Sequence, residues 1–170
     1  MFPAPARHRA FTLIELIVVI VIISVLATVA MHRLTVYQEL AEKTAMESTL
    51  SIIKTGLQIR LAELIMANRQ REATQLEKSN PMQWLVEKPA NYGGAYHQPA
   101  EGGNWYYDEG QRELVYVVHT GEFLTTEATD GEKQLRFRVE LLKGYVETAR
   151  TKVETVTGVT LAPVHPYSWP

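Results

Sequence analysis

From Phe11 to Met31 the chain is apolar except at Thr12, Glu15, Ser24 and Thr28. A helix of these 21 residues, at about 1.5 Å rise per residue, spans the roughly 30 Å hydrocarbon core of a bilayer. Its Leu, Ile, Val and Ala content meets the window criterion for a membrane helix. Arg7, His8 and Arg9 stand ahead of it, and residues 1–10 contain no acid. The excess of positive charge at that end places it in the cytoplasm and sends the remainder across the membrane. A segment of this kind cannot be an ordinary element of a small soluble core, so it divides the chain before any other pattern is considered.

Glu15 is the residue that this picture must accommodate. A plain uncleaved anchor explains length and orientation, but it leaves a carboxylate that costs about 2.5–3.5 kcal/mol at mid-membrane and less toward the interface. A secretory signal is a second reading, with Thr28-Val29-Ala30 as a small-residue cleavage site. Against it, the apolar run exceeds the usual h-region of roughly 7–15 residues and holds Glu15 at its cytoplasmic end. The third reading is that the acid has a function.

The stretch Ala10-Phe11-Thr12-Leu13-Ile14-Glu15-Leu16, followed by the apolar run, resembles the cleavage and methylation signature of prepilins: the type IV pilins and the pseudopilins of type II secretion. The resemblance implies that a prepilin peptidase cuts Ala10–Phe11 on the cytoplasmic side, freeing a leader of residues 1–10, and methylates the new amine of Phe11. It implies further that Glu15 of an incoming subunit pairs with the Phe11 amine of its neighbour and sets the axial register of a filament. Charge pairs in low dielectric are strong, and either partner left alone is costly. This chain has Ala10 where the family usually has Gly. It has Ser24 and His32 where the family commonly has a Gly and a Pro, which fits a pseudopilin or minor pilin better than an abundant major pilin.

Past Met31 the pattern remains helical and turns amphipathic. Leu50, Ile53, Leu57, Leu61 and Leu64 recur at spacings of three and four, a stripe that predicts a core face. Glu39, Glu42, Lys43, Glu47, Lys54 and Arg60 are assigned to the opposite, solvated side. One helix is predicted over residues 11–68, with Gly56 weakening it by roughly 1 kcal/mol relative to Ala. Ser79-Asn80-Pro81 reads as a breaker. MQWLVE (82–87) reads as a short helix or turn, and the Gly-, Pro- and Asn-rich residues 89–104 as a long loop. WYY (105–107) and LVYVV (114–118) around DEGQR predict a hairpin. Residues 134–142 alternate as a half-buried strand, and 153–164 read as a last edge strand. The fold class is α+β: a long N-terminal helix on a small antiparallel sheet of three to four strands, which is also what the pilin resemblance implies. The predicted divisions are leader 1–10, membrane and polymerisation helix 11–31, amphipathic half 32–70 and globular head 71–170.

Chemistry is sparse. The chain has no cysteine, which removes disulfides, thiol nucleophiles and Cys-ligated zinc together. Its five serines lack a nucleophile-elbow context, and the five histidines form no metal-ligand pair. His119 reads as a strand-end residue. Asp108, Glu109 and Asp130 read as turn formers, without the spacing of a calcium loop. Tyr92, Tyr96, Trp105, Tyr106, Tyr107 and Trp169 are either cross-strand packing or an adhesive patch, with packing favoured. No enzyme activity, metal or cofactor is expected. A net charge of -2 gives no polyanion-binding surface, so nucleic acid is not an expected partner. Cleavage would lower the Lys and Arg count from 17 to 15 against 19 acids, a formal charge of -4.

The function implied is a structural subunit of a type II secretion pseudopilus or type IV pilus-like filament. It sits in the bacterial inner membrane with its head in the periplasm before assembly. Partners implied are prepilin peptidase, other pilin subunits and assembly platform proteins. The alternatives are a minor pilin that initiates a filament or adheres, and a membrane-anchored or secreted periplasmic binding protein that forms no polymer.

Overall fold

The computed structural model describes residues 12–126, 133–148 and 151–169, with the side chains of 146–148 and 151–153 excepted. The chain divides into two compact units, Met1–Gln38 and Glu39–Pro170. Helix α1, Leu13–Met66, supplies the described part of the first unit and opens the second.

In the first unit the helix from Leu13 to Gln38 has no buried residue. Its hydroxyls are turned onto its own backbone: Ser24 donates to the Ile20 carbonyl at 2.8 Å and Thr28 to the Ser24 carbonyl at 2.9 Å. A membrane helix needs such closure, since a bare hydroxyl in hydrocarbon has no other acceptor.

The second unit is built on the amphipathic stripe. Met46, Leu50, Ile53, Leu57, Leu61 and Leu64 are all buried, with Ile53 and Leu57 at 0 % exposure. They form one cluster with Trp105, Leu114, Tyr116, Leu135, Phe137, Val139, Val159, Leu161 and Trp169. The sheet beneath has five strands in the order β1-β2-β3-β5-β6: β1 Tyr92–Ala95, β2 Asn104–Asp108, β3 Glu113–Val117, β5 Gln134–Thr148 and β6 Thr151–Pro163. A separate two-stranded sheet joins β4 (Thr125–Thr126) to β7 (Tyr167–Ser168). The predicted hairpin is β2–β3, which pairs Trp105 with Tyr116 and Tyr107 with Leu114.

The α+β class holds, and the sheet is larger than three to four strands. The additional strand is β1, inside the residues read as loop. It runs parallel to β2, which makes the sheet mixed. Gly93 and Gly94 hide it from propensity, yet Gly93 is required: a Cβ there would meet the Tyr106 ring at 2.4 Å. The link from β1 to β2, residues 96–103, is shorter than the dozen or so residues of a usual parallel crossover. It lies over the outer sheet face, where Tyr96 and Ala100 pack on Tyr106, Val115 and Val117. The Tyr96 hydroxyl donates to Gln134 Oε1 at 2.9 Å.

Charge closes the same face. Arg136 reaches Asp108 at 3.0 Å and Glu113 at 3.1 Å, and Arg138 reaches Glu113 at 2.6 Å. Past the end of the β3 pairing, the Leu141 N–H of β5 donates to Glu77 Oε1 at 3.1 Å. Helix α1 stops at Met66, Asn68 takes a φ of 56°, and a 3-10 helix, Gln70–Gln75, follows; Asn80-Pro81 then opens a second 3-10 turn, Pro81–Trp84, with Asn80 accepting from the Met82 N–H at 2.9 Å. Gly56 also has a positive role. Leu85 presses so close that a Cβ there would lie 2.9 Å from its Cδ2.

Leu57→Ala is expected to cost about 2–5 kcal/mol by lost transfer and residual cavity, read as a lower urea midpoint with unchanged m in detergent micelles. A second expectation concerns acid. Burial raises the Asp108 pKa, but the Gln111 N–H and the Arg136 guanidinium outweigh it and hold the carboxyl below its usual range. That stabilisation is present above the unfolded pKa of about 3.9 and lost as pH falls through the folded value. Asp108→Asn is therefore expected to flatten the acid limb of the stability–pH curve below about pH 4.

Candidate functional site

Of the residues singled out for function, Ala10 and Phe11 lie outside the described residues. Glu15 lies within them, exposed in the first turn of α1. Its backbone N–H donates to the Thr12 hydroxyl oxygen at 3.3 Å, and the Leu16 N–H donates to the Thr12 carbonyl at 3.2 Å. Thr12 is thus the N-cap of the helix, a role the sequence reading overlooked. The signal was present, because Thr12-Leu13-Ile14-Glu15 has the spacing of a capping box. Two physical demands meet at Glu15: a carboxylate in the first turn complements the positive end of the helix dipole, and no described side chain bonds it. It is a carboxyl group held at a fixed helical position beside an exposed apolar surface.

That surface is continuous. Leu13, Ile14, Leu16, Ile17 and the aliphatic residues through Met31 are all exposed. Among the described residues, α1 is the one helix long and apolar enough to cross a membrane by length and composition.

In the second unit, three charged residues of α1 hold the rest of the fold to the helix. Glu39, assigned by the sequence reading to the solvated side, is instead 2 % exposed and accepts from the Phe123 N–H at 3.0 Å. Glu39 stands seven residues before Met46 and so falls on the face of the buried stripe; the Phe123 N–H that meets it there comes from far along the chain. Glu42 accepts from the Tyr116 hydroxyl at 3.1 Å, the His119 N–H at 2.7 Å and the Thr120 hydroxyl at 3.3 Å. Burial, and then the Glu42 carboxylate, push the Tyr116 hydroxyl well above its usual pKa, so it remains a donor. Lys43 Nζ donates to the Trp169 carbonyl at 2.6 Å. His119 does sit just past the end of β3.

The aromatic residues resolve as packing. Trp105, Tyr106, Tyr107 and Trp169 are buried, and Trp105 stacks within 4.8 Å of Tyr116 and 5.9 Å of Phe137. Asp108 accepts from the Gln111 N–H at 3.0 Å, as a turn former does; Asp130 lies outside the described residues. Among the described residues, no three His, Cys, Asp or Glu side chains group as a metal site.

Glu39→Ala is expected to leave the Phe123 N–H without its carboxylate acceptor at a cost of about 1–3 kcal/mol. Chemical denaturation of the full chain measures it, with protease nicking near residue 123 as a local readout.

Residues 5–31 match the family model described as the prokaryotic N-terminal methylation motif, the prepilin-type cleavage and methylation signal. No curated protein and no solved structure matches the chain. The motif implies processing by prepilin peptidase and assembly with other pilins, and together with the apolar helix it fits membrane anchoring. It suggests a structural subunit rather than an enzyme. The prepilin-type signal thus lies across the start of a capped helix that carries a carboxyl group in its first turn and a long uncovered apolar surface.

Proposed function

We propose that this chain is a subunit of a type II secretion pseudopilus or a type IV pilus-like filament, assembled through α1. The observation that carries the reading is the match of residues 5–31 to the methylation motif. Prepilin peptidase cleaves Ala10–Phe11, removing residues 1–10, and Phe11 becomes the N-methylated first residue. Before assembly the subunit sits in the bacterial inner membrane through residues 11–31, with its N-terminus cytoplasmic and the folded residues, the head from 71 onward with the helical half 32–70, in the periplasm. Assembly platform proteins draw it into the filament, where Glu15 pairs with the Phe11 amine of the adjacent subunit and fixes the stagger. An uncovered carboxylate supports this role, because pairing with a cation offsets its desolvation in the filament interior. Ser24 and His32, in place of the helix-loosening Gly and Pro, favour a pseudopilin or a minor, initiating pilin over a major pilin.

Mass spectrometry of the protein from its native host tests the processing step. The expected product begins at Phe11 and carries one added methyl. A start at Met31 supports a secreted protein, and an intact N-terminal leader supports a plain anchor. Glu15→Ala is expected to insert in the membrane at the native level and to yield no filaments; normal filaments from it would refute the register role.

A further inference from the structure

A polar pocket of about 400 Å³ lies on the outer face of the sheet, between β1, the start of β2 and the link that joins them. Its size falls within the roughly 300–1,000 Å³ of small-molecule sites. The frame of the pocket is tied down. The Asn91 side chain donates to the Gly103 carbonyl at 2.8 Å, and the Trp105 N–H donates to the Asn91 carbonyl at 2.8 Å. The Tyr106 hydroxyl accepts from the Glu101 N–H at 3.1 Å, so the link is fastened to β2 along its length.

Against that frame three lining side chains keep their polar groups unspent. The His97 imidazole, the Glu101 carboxyl and the Asn104 amide make no hydrogen bond among the described residues. Asn104 is half-buried at the start of β2, on the same face as Tyr106, while His97 and Glu101 stand exposed at the rim. Together they offer donors and acceptors in planar groups, with a single carboxylate as the fixed charge.

The chemistry of the lining narrows what can sit there. An anion would meet Glu101, and no Lys or Arg lines the pocket. A metal ion would find one carboxylate and one imidazole, and among the described residues no three such side chains group anywhere. A flat aromatic ligand has no free ring to stack on. Gly93 lies against the Tyr106 ring, His97 meets that ring edge-on at 5.9 Å, and Lys88 sits 5.5 Å from the centre of the Tyr92 ring. An aliphatic ligand would touch little more than Ala90 and Pro99. A neutral molecule dense in hydroxyls suits what remains, since amide and carboxylate each engage adjacent hydroxyls at two points.

We infer that this pocket binds a neutral saccharide of one or two rings, with Asn104 and Glu101 holding its hydroxyls and His97 at the rim. The fastened link keeps the three groups in place, so binding is not charged with ordering a loop. The site belongs to the head alone and does not depend on filament assembly.

The test uses the full chain in a zwitterionic detergent without a sugar headgroup. Methyl galactoside, methyl glucoside and N-acetylglucosamine are each titrated and followed by saturation-transfer NMR. Saturable transfer to at least one of them is expected. Asn104→Ala and Glu101→Ala are each expected to weaken it about tenfold, the loss of one or two hydrogen bonds. The urea midpoint is expected to stay unchanged, because neither side chain bonds the fold. His97→Ala, at the exposed rim, is a third arm read in the same way. Overturning results are no saturable transfer from any of the three sugars, unchanged binding in all three variants, or tighter binding of inorganic phosphate or calcium ion than of any sugar. Glu15→Ala is expected to bind sugar as the parent chain does, so a failure of the filament reading leaves this test intact.

Discussion

An apolar helix surface requires cover, and α1 carries more of it than the folded head can supply. The stripe from Met46 to Leu64 closes on the sheet and is buried along its length, and most of the head core assembles on it. Leu13 to Met31 has no protein cover at all. A single element therefore obeys two solvents, with sequence period as the switch: apolar all round in one part, apolar on a stripe in the other. Everything else in the head follows from presenting a sheet face to that stripe, down to the close approach of Leu85 at Gly56.

The same economy governs the carboxylates of the helix. Glu39 and Glu42 lie where chain returning from the sheet brings N–H and hydroxyl donors to them, so an acid on a helix becomes a fastening for distant loops. Glu15 has helical backbone and exposed apolar neighbours around it, and among the described residues the helix terminus is what favours its charge. An acid satisfied inside the fold contributes to stability. An acid left unsatisfied in the fold selects a partner, and the methylation motif at residues 5–31 says what kind of chemistry creates one.

Much of this was legible in the residues. The helix, its core stripe, the turn at Asn80-Pro81, the β2–β3 hairpin and the alternating strand from Gln134 are all local patterns, and local patterns survive translation into three dimensions. What escaped was non-local. Strand β1 consists of Tyr, two glycines and Ala, and it exists because the Tyr106 ring lies over Gly93. Strands β4 and β7 are two residues each and pair across more than forty positions of chain, with no periodicity to announce them. The burial of Glu39 depends on residues near Phe123. The Thr12 cap is a local signal too, masked by the apolar run that dominates that stretch. For the site, the motif made Glu15 legible; its lack of a described side-chain partner needed coordinates.

The contact between Glu77 and β5 has a consequence for sheet size. Where β3 stops, the neighbouring flank of β5 would accept another extended segment at the Leu141 amide. A carboxylate oxygen from beyond the helix occupies that position instead. The oxygen stands in for a peptide carbonyl while bringing no chain behind it, so hydrogen-bonded growth ends at that amide. A charged side chain used this way is a stopper, and it lets a long β5 run past its short neighbour without recruiting a stray strand there.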